Sequence, residues 1–164
     1  LRMLRTTWGN HLDPYTSWLV LRSLESVHVR SERAMSNARA VAEFLRDHPK
    51  VAGVTYLGFL PEGSPARAVY DRQCHAGGST FSFHLHGGEA EAFRMLDRLR
   101  LLKLAVSLGG SETLICHSVT TTHYALTPQQ RLEGGITDGT MRLSVGIEHV
   151  DDLIADLAQA LEAV

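Results

Sequence analysis

A segment near the end of the chain combines a strand pattern with an arginine on its polar face. In TMRLSVGIEH (140–149), apolar residues alternate with Arg142, Ser144 and Gly146, and such alternation predicts a β-strand with one buried face. Arg142 has two interpretations. It is a solvated strand residue, or it binds an anion, because its planar fork of donors matches a carboxylate or a phosphate. The segment alone leaves both open.

A glycine-containing turn offers a second anion-binding feature. The stretch SLGGSE begins at Ser107 and follows a predicted strand, with Val106 before it and Leu108 after it. Paired glycines let backbone N–H groups approach a small anion closely. The stretch lacks the spacing of the glycine-rich loops that bind nucleotides, so by itself it favours no particular ligand.

The histidines and cysteines do not form a pattern typical of a metal or nucleophile site. His84 and His86 are two apart on a predicted strand, and His117 follows Cys116 directly, but none of these spacings is a zinc motif. Neighbouring Cys–His pairs point apart on extended backbone. We therefore predict no metal site, and we expect Cys74 and Cys116 to be buried as small hydrophobic residues.

Composition restricts the class of protein. The chain has 164 residues, 44% of them hydrophobic, and a formal net charge of -2, which suits one domain with a hydrophobic core. Its sixteen basic residues are scattered, which argues against binding to nucleic acid or to a membrane surface. We find no signal peptide and no apolar run of the ~20 residues that span a membrane. Two cysteines predict a reducing cytoplasm, and the start at Leu1 suggests the tail end of a longer protein.

Hydrophobic periodicity and capping signals predict an α/β fold. Apolar periodicity and capping residues together predict six helices and four strands, and the order of these elements predicts a two-layer α+β domain whose small, mostly antiparallel sheet has helices on one face. The predicted helices are 13–27 with Asp13 as cap, 31–47, 64–73, 88–102, 127–135 and 150–164; the predicted strands are 51–58, 79–86, 103–110 and 140–149, and 111–123 is expected to be irregular.

Taken together, these segments resemble a known family. LAVSLGGSETLICHSVTTTH and GITDGTMRLSVGIEHVDDLIADLAQAL are similar to the C-terminal domain of the pyridoxal-phosphate enzymes of cysteine and methionine metabolism, and DPYTSWLVLRSLESVHVRSER, AEFLRDHPKV and GGSTFSFHLHGGEAEA extend the resemblance over nearly the whole chain. That family includes cystathionine γ-synthase, cystathionine γ-lyase and methionine γ-lyase. The resemblance implies the C-terminal domain of a fold-type I enzyme. Residues 1–48 would be the linking and long helices that lead from an absent large domain, and 49–164 the substrate domain.

The resemblance assigns substrate-binding residues. The arginine of the family's R-L-S-x-G motif binds the substrate α-carboxylate and corresponds to Arg142. The serine of its S-L-G-G motif lies in the same pocket and corresponds to Ser107, with Leu108 contributing backbone. Members that act on cystathionine often carry glutamate just before this serine, whereas this chain has Val106. An apolar side chain there favours a methionine γ-lyase-like member, since a distal ammonium would find no counter-charge.

Two departures from the family pattern stand out. The family's H-P-A-S-M-T-H stretch is HSVTTTH here, with Ser118 in place of the proline and Val119 in place of the alanine, so the loop shape is expected to differ. The cofactor lysine, found in a Ser-x-Thr-Lys context in the family, has no counterpart, because Lys50 and Lys103 both lie in other contexts. We therefore expect no catalytic or cofactor-binding residue in this chain, which would be the last two-fifths of an enzyme and inactive alone.

The resemblance implies the activity of the whole enzyme. Pyridoxal 5'-phosphate, bound by the upstream domain, would serve elimination at the γ-carbon of a sulfur amino acid, and the assembly would be a homodimer or homotetramer. γ-Replacement on an activated homoserine, as in cystathionine γ-synthase, is the alternative. A non-catalytic module that binds an amino acid for regulation would also use an arginine and a glycine-rich turn, and it is the rival of a different class.

Overall fold

Helices and strands follow one another along residues 2–164, the part of the chain that the computed structural model describes. Leu1, where the predicted linking segment begins, lies outside that part. The helices are α1 (Arg2–Trp8), α2 (Pro14–Leu24), α3 (Val27–Arg46), α4 (Pro65–Gln73), α5 (Glu89–Leu96), α6 (Pro128–Glu133) and α7 (Val150–Leu161). The strands are β1 (Val51–Thr55), β2 (Thr80–Leu85), β3 (Lys103–Leu104), β4 (Leu114–His117) and β5 (Thr140–Ser144).

The strands form one sheet in the order β1-β2-β5-β4-β3. Each neighbouring pair is antiparallel except β3 and β4, which are parallel. The prediction of a mostly antiparallel sheet is therefore confirmed. β5 is the central strand, and the register places Arg142 between Ser82 of β2 and Cys116 of β4.

Three helices cover one face of this sheet. Phe83, Met141 and Leu143 point from the strands into the same buried cluster as residues of α3, α5 and α7. The predicted helical stripes supply most of those residues: Ala38, Val41, Ala42 and Leu45 from α3, Ala92, Met95 and Leu96 from α5, and Leu153, Leu157 and Leu161 from α7. Burial of such side chains contributes roughly 1.5–3 kcal/mol each for the larger ones. The predicted fold class, a two-layer domain with helices on one face, is confirmed.

The prediction that 111–123 is irregular is wrong for its centre. β4 lies within it, and all four of its residues are buried. Alternation is missing because both faces of β4 are covered. Ile115 and His117 lie on the core side, opposite Leu143 and Met141 of β5, and Leu114 and Cys116 on the other face are buried as well.

Several elements end earlier than the patterns predict. α5 ends at Leu96 rather than near 102, because the carboxylate of Asp156 accepts the backbone N–H groups of Arg100, Leu101 and Leu102 at 2.8–2.9 Å and holds them in turns. β1 ends at Thr55 before a 3₁₀ turn, and β3 covers two residues of the predicted 103–110. The remaining residues of that segment form a loop over β5.

The N-terminal helices differ most from expectation. α1 was not predicted, and α3 begins at Val27 rather than at 31. α2 begins as predicted after Asp13, whose Oδ1 accepts the N–H of Thr16 at 3.0 Å. Its apolar stripe, formed by Trp18 and two leucines, is more than half exposed in this chain.

Exposure decides the predictions made for the two cysteines. Cys116 is buried as predicted, but the prediction for Cys74 is wrong, since it follows the short helix α4 and is exposed. Within residues 2–164, no helix is both long and apolar enough to cross a membrane.

Candidate functional site

The outer face of β5, opposite the helical layer, carries the candidate site. Met141 and Leu143 are fully buried against the helices, so the alternation of the strand turns Arg142 to the other face. There Arg142 is half-buried, beside Ser82 and Cys116 of the neighbouring strands. A rigid central strand therefore fixes the backbone from which the guanidinium extends.

The guanidinium contacts the loop that follows β3. Arg142 Nη2 donates to the backbone oxygen of Val106 and, at 3.1 Å, to that of Ser107. Leu108 is the next residue of the same loop. The structure thus brings together the four residues that the sequence predicts for the substrate, although 34 or more residues separate the loop from Arg142 along the chain. Val106 and Leu108 have exposed side chains, at 54% and 58% of their full areas.

The charge of Arg142 has no counter-charge among the residues that the structure describes. Its Nε is buried and has no hydrogen-bond partner within residues 2–164. In the same residues no carboxylate lies within 4.0 Å of its nitrogens, whereas Arg22, Arg39, Arg46, Arg67 and Arg94 each have such a partner. A half-buried cation held only by carbonyl oxygens is costly unless an anion completes its environment. The arrangement therefore suits a carboxylate or another small anion.

The loop is also tied to the residues that follow β5. The N–H of Gly109 donates to Ser144 Oγ at 3.0 Å, and the N–H of Ile147 donates to the backbone oxygen of Ser111 at 2.9 Å. A Cβ on Gly146 would lie 2.2 Å from that same oxygen of Ser111, so only glycine allows this approach.

A polar pair of the buried Thr113 and the partly buried Glu148 lies at the far end of the loop. Thr113 Oγ1 donates to Glu148 Oε2 at 2.8 Å, and the N–H of Thr113 donates to the other carboxylate oxygen. Asn37 of α3 donates to the backbone oxygens of Gly146 and Glu148 at 3.0 and 2.8 Å. Sequence reasoning missed Asn37, Thr113 and Glu148, because their partners are about 35 to 110 residues away and no local spacing signals them.

Other titratable residues lie outside this arrangement. Lys50 Nζ donates to the backbone oxygen of Val164 at 2.6 Å, and Lys103 is exposed on the edge strand β3. His84 Nδ1 lies 2.9 Å from Thr140 Oγ1, and burial lowers the pKa of this imidazole. Within residues 2–164, no three His, Cys, Asp or Glu side chains are close enough together to hold a metal ion.

Comparisons with known proteins place the chain among enzymes. The family model described as Cys/Met metabolism PLP-dependent enzyme matches residues 1–162. L-Methionine γ-lyase of Fusobacterium nucleatum is 42% identical over 161 residues, which are 98% of this chain and 40% of that protein. O-Succinylhomoserine sulfhydrylase of Pseudomonas aeruginosa is 38% identical over 161 residues, 98% of this chain and 39% of that protein.

A solved structure agrees with the sequence matches. CalE6 from Micromonospora echinospora, described as a cystathionine γ-lyase, superposes with a TM-score of 0.90 at 40% identity, over 99% of this chain and 42% of CalE6. The chain spans about two-fifths of the length of the relatives that it matches. The match over nearly all of its residues shows that it belongs to the Cys/Met metabolism family of pyridoxal-phosphate-dependent enzymes.

Proposed function

We propose that this chain is the C-terminal, substrate-binding part of an enzyme that breaks the C–S bond at the γ-carbon of methionine or a similar thioether amino acid. Arg142 binds the substrate α-carboxylate, and the loop of Val106, Ser107 and Leu108 forms the wall beside it. Residues 49–164 form the substrate domain, and 1–48 lead into it from an upstream domain.

One observation carries this proposal: the uncompensated charge of Arg142. Among residues 2–164, its Nε has no partner, and the acceptors in contact with its guanidinium are the backbone oxygens of Val106 and Ser107. A carboxylate supplies both the negative charge and the paired acceptors that a guanidinium matches. Holding that carboxylate fixes the rotation of the substrate about its Cα, so the Cα–H bond stands perpendicular to the plane of the cofactor ring.

The side chain of Val106 supports a thioether substrate. It is exposed beside Arg142 in this chain, where it would face the distal part of a bound amino acid. A methyl thioether loses little when it packs against valine, whereas an ammonium would be desolvated without a counter-charge. The proposed reaction converts methionine and water into methanethiol, ammonia and 2-oxobutanoate.

The cofactor is bound elsewhere in the proposed enzyme. Pyridoxal phosphate serves as the electron sink for bond cleavage at the amino acid. Lys50 Nζ donates to the backbone oxygen of Val164, and the side chain of Lys103 is exposed on the edge strand β3, so neither lysine contacts Arg142 within residues 2–164. The upstream domain therefore supplies the lysine and the phosphate site, in a cytoplasmic homodimer or homotetramer.

A second candidate is γ-replacement on an activated homoserine. It is favoured by relatives named O-succinylhomoserine sulfhydrylase at 37–38% identity and O-acetyl-L-homoserine sulfhydrylase at 35%. Both candidates use Arg142 in the same way and differ at the distal end of the substrate. A regulatory amino-acid-binding module would share the arginine but would release no product.

The test is a product assay on the full-length protein that contains this chain. With methionine, elimination releases 2-oxobutanoate and methanethiol without any added thiol. With an O-acyl homoserine, replacement requires added sulfide and gives homocysteine. If the protein converts an O-acyl homoserine and sulfide to homocysteine but does not act on methionine, the second candidate is supported. If a cofactor-loaded protein converts neither substrate, both candidates are refuted.

A further inference from the structure

Ser144 is the second outward-facing residue of the segment that carries Arg142. It is only 2% exposed. Its Oγ accepts the N–H of Gly109 at 3.0 Å and lies 3.4 Å from the hydroxyl of Thr80 on the neighbouring strand. A buried serine on the polar face of a central strand must be hydrogen-bonded, and here its main partner belongs to the candidate site.

The loop is therefore held at two points by one strand. Arg142 donates to the backbone oxygens of Val106 and Ser107, and Ser144 Oγ accepts the backbone N–H of Gly109. Residues two apart on a strand are about 6.6 Å apart on the same face, so both contacts reach a single short turn. Gly109 has a φ of +75°, a conformation that glycine adopts without strain.

Loss of Arg142 and loss of the Ser144 hydroxyl have different effects on the site. Without Arg142 the site loses its positive charge. Without the hydroxyl of Ser144, the charge remains, but Gly109 loses the hydrogen bond that ties its N–H to β5. The backbone of Ser107 would then no longer be held at a fixed distance from the guanidinium.

We propose that Ser144 is a positioning residue for the α-carboxylate site: by accepting the N–H of Gly109 it holds the loop of Val106, Ser107 and Leu108 against Arg142. This inference rests on the proposed function of Arg142. It predicts that Ser144 contributes to the binding of the carboxylate without touching it.

The test uses the full-length, cofactor-loaded protein and two inhibitors. L-Norleucine carries the α-carboxylate, and pentylamine is the same molecule without it. The variants are Ser144→Ala, Arg142→Lys and, as a matched control, Thr140→Val. Thr140 is also on β5, two residues to the other side of Arg142 and 3% exposed, but its hydroxyl contacts His84 and Thr137 rather than the loop.

We expect Ser144→Ala to raise the inhibition constant of norleucine about three- to tenfold, the ratio that one ordinary hydrogen bond provides. The constant for pentylamine should stay the same, and Thr140→Val should change neither. Equal loss for both inhibitors, or an equal effect of the control, would show that Ser144 only supports the fold. No change for norleucine would also overturn the inference.

Two further comparisons keep the result interpretable. If Arg142→Lys leaves the binding of norleucine intact, the proposed function itself fails; if it weakens binding while Ser144→Ala does not, only the role of Ser144 fails. Should Ser144→Ala not fold, Ser144→Cys replaces it, since a thiol fills similar volume and is a weak acceptor. The same selective loss for norleucine is then expected, and its absence would refute the positioning role.

Discussion

Replacing Arg142 with lysine tests the central claim about the site. Lysine keeps the positive charge but replaces the planar fork by one ammonium group. The side chain extends from the face of β5 opposite Met141 and Leu143, so the exchange leaves the core intact. Arg142→Lys in the full-length protein therefore separates binding of the carboxylate from folding and cofactor binding.

The size of the effect follows from the contacts that are lost. Nη2 makes two hydrogen bonds to the loop, and an ammonium can replace one of them, which leaves a stability cost of about 1 kcal/mol. The bound carboxylate also loses its second donor and can rotate. Misorientation of this kind costs on the order of a hundredfold in rate, or about 2.7 kcal/mol, and we expect a higher KM as well.

The assay compares kcat/KM, cofactor absorbance and thermal stability for the variant and wild type. Arg39→Lys is the matched control, because Arg39 pairs with Glu43 at 3.0 Å on an exposed helix surface, where such an exchange changes stability by less than about 0.5 kcal/mol. If the Arg142 variant kept nearly wild-type kcat/KM, Arg142 would be an ordinary solvated strand residue and the proposed function would lose its support.

Three further predictions concern the cofactor, the substrate and acid stability. The purified chain alone should retain no pyridoxal phosphate after dialysis and should turn over no substrate, because neither Lys50 nor Lys103 lies in the Ser-x-Thr-Lys context of the family's cofactor lysine; a persistent cofactor absorbance band would contradict this. In the full-length protein, Val106→Glu should shift the ratio of kcat/KM from methionine toward cystathionine by up to a few kcal/mol, since the carboxylate gains a partner only when a distal ammonium binds; an unchanged ratio would exclude Val106 as the selector. Asp156→Asn should lower the free energy of unfolding in urea by about 2 kcal/mol at neutral pH, and equal losses at pH 3 and pH 7 would contradict the charge-based explanation.

The pH dependence of the Asp156 contribution follows from its hydrogen bonds. Burial alone would raise the pKa of this carboxyl, but the backbone N–H groups of Leu102, Leu101 and Arg100 outweigh it and hold the pKa below its ordinary value. A group with a lowered pKa in the folded state stabilises the protein fully above its unfolded pKa of about 4. The stabilisation is lost as pH falls through the folded pKa, so the difference between wild type and Asp156→Asn should shrink in acid.

Local patterns were sufficient where one face of an element is buried and the other is not. The alternation in 140–149 correctly predicted a strand with Arg142 opposite the core, and the stripe of α7 predicted its buried leucines. The same logic failed for β4, whose residues are buried on both faces and therefore show no alternation. The early end of α5 depends on Asp156, about 55 residues away, and no local signal could reveal it.

The site could be predicted only in part for the same reason. Residue type left two interpretations of Arg142 open, and the family resemblance assigned it to the substrate carboxylate, whereas a serine on a polar face is ordinary in any sequence. What distinguishes Ser144 is a contact with Gly109, 35 residues earlier in the chain, which forms only when β3 and β4 bring the loop over β5. The contribution of a strand residue to a site depends on what the fold places against it. The core face of β5 packs on the helices and can be recognised from the sequence pattern, whereas the role of its outer face depends on the loop that packs on it.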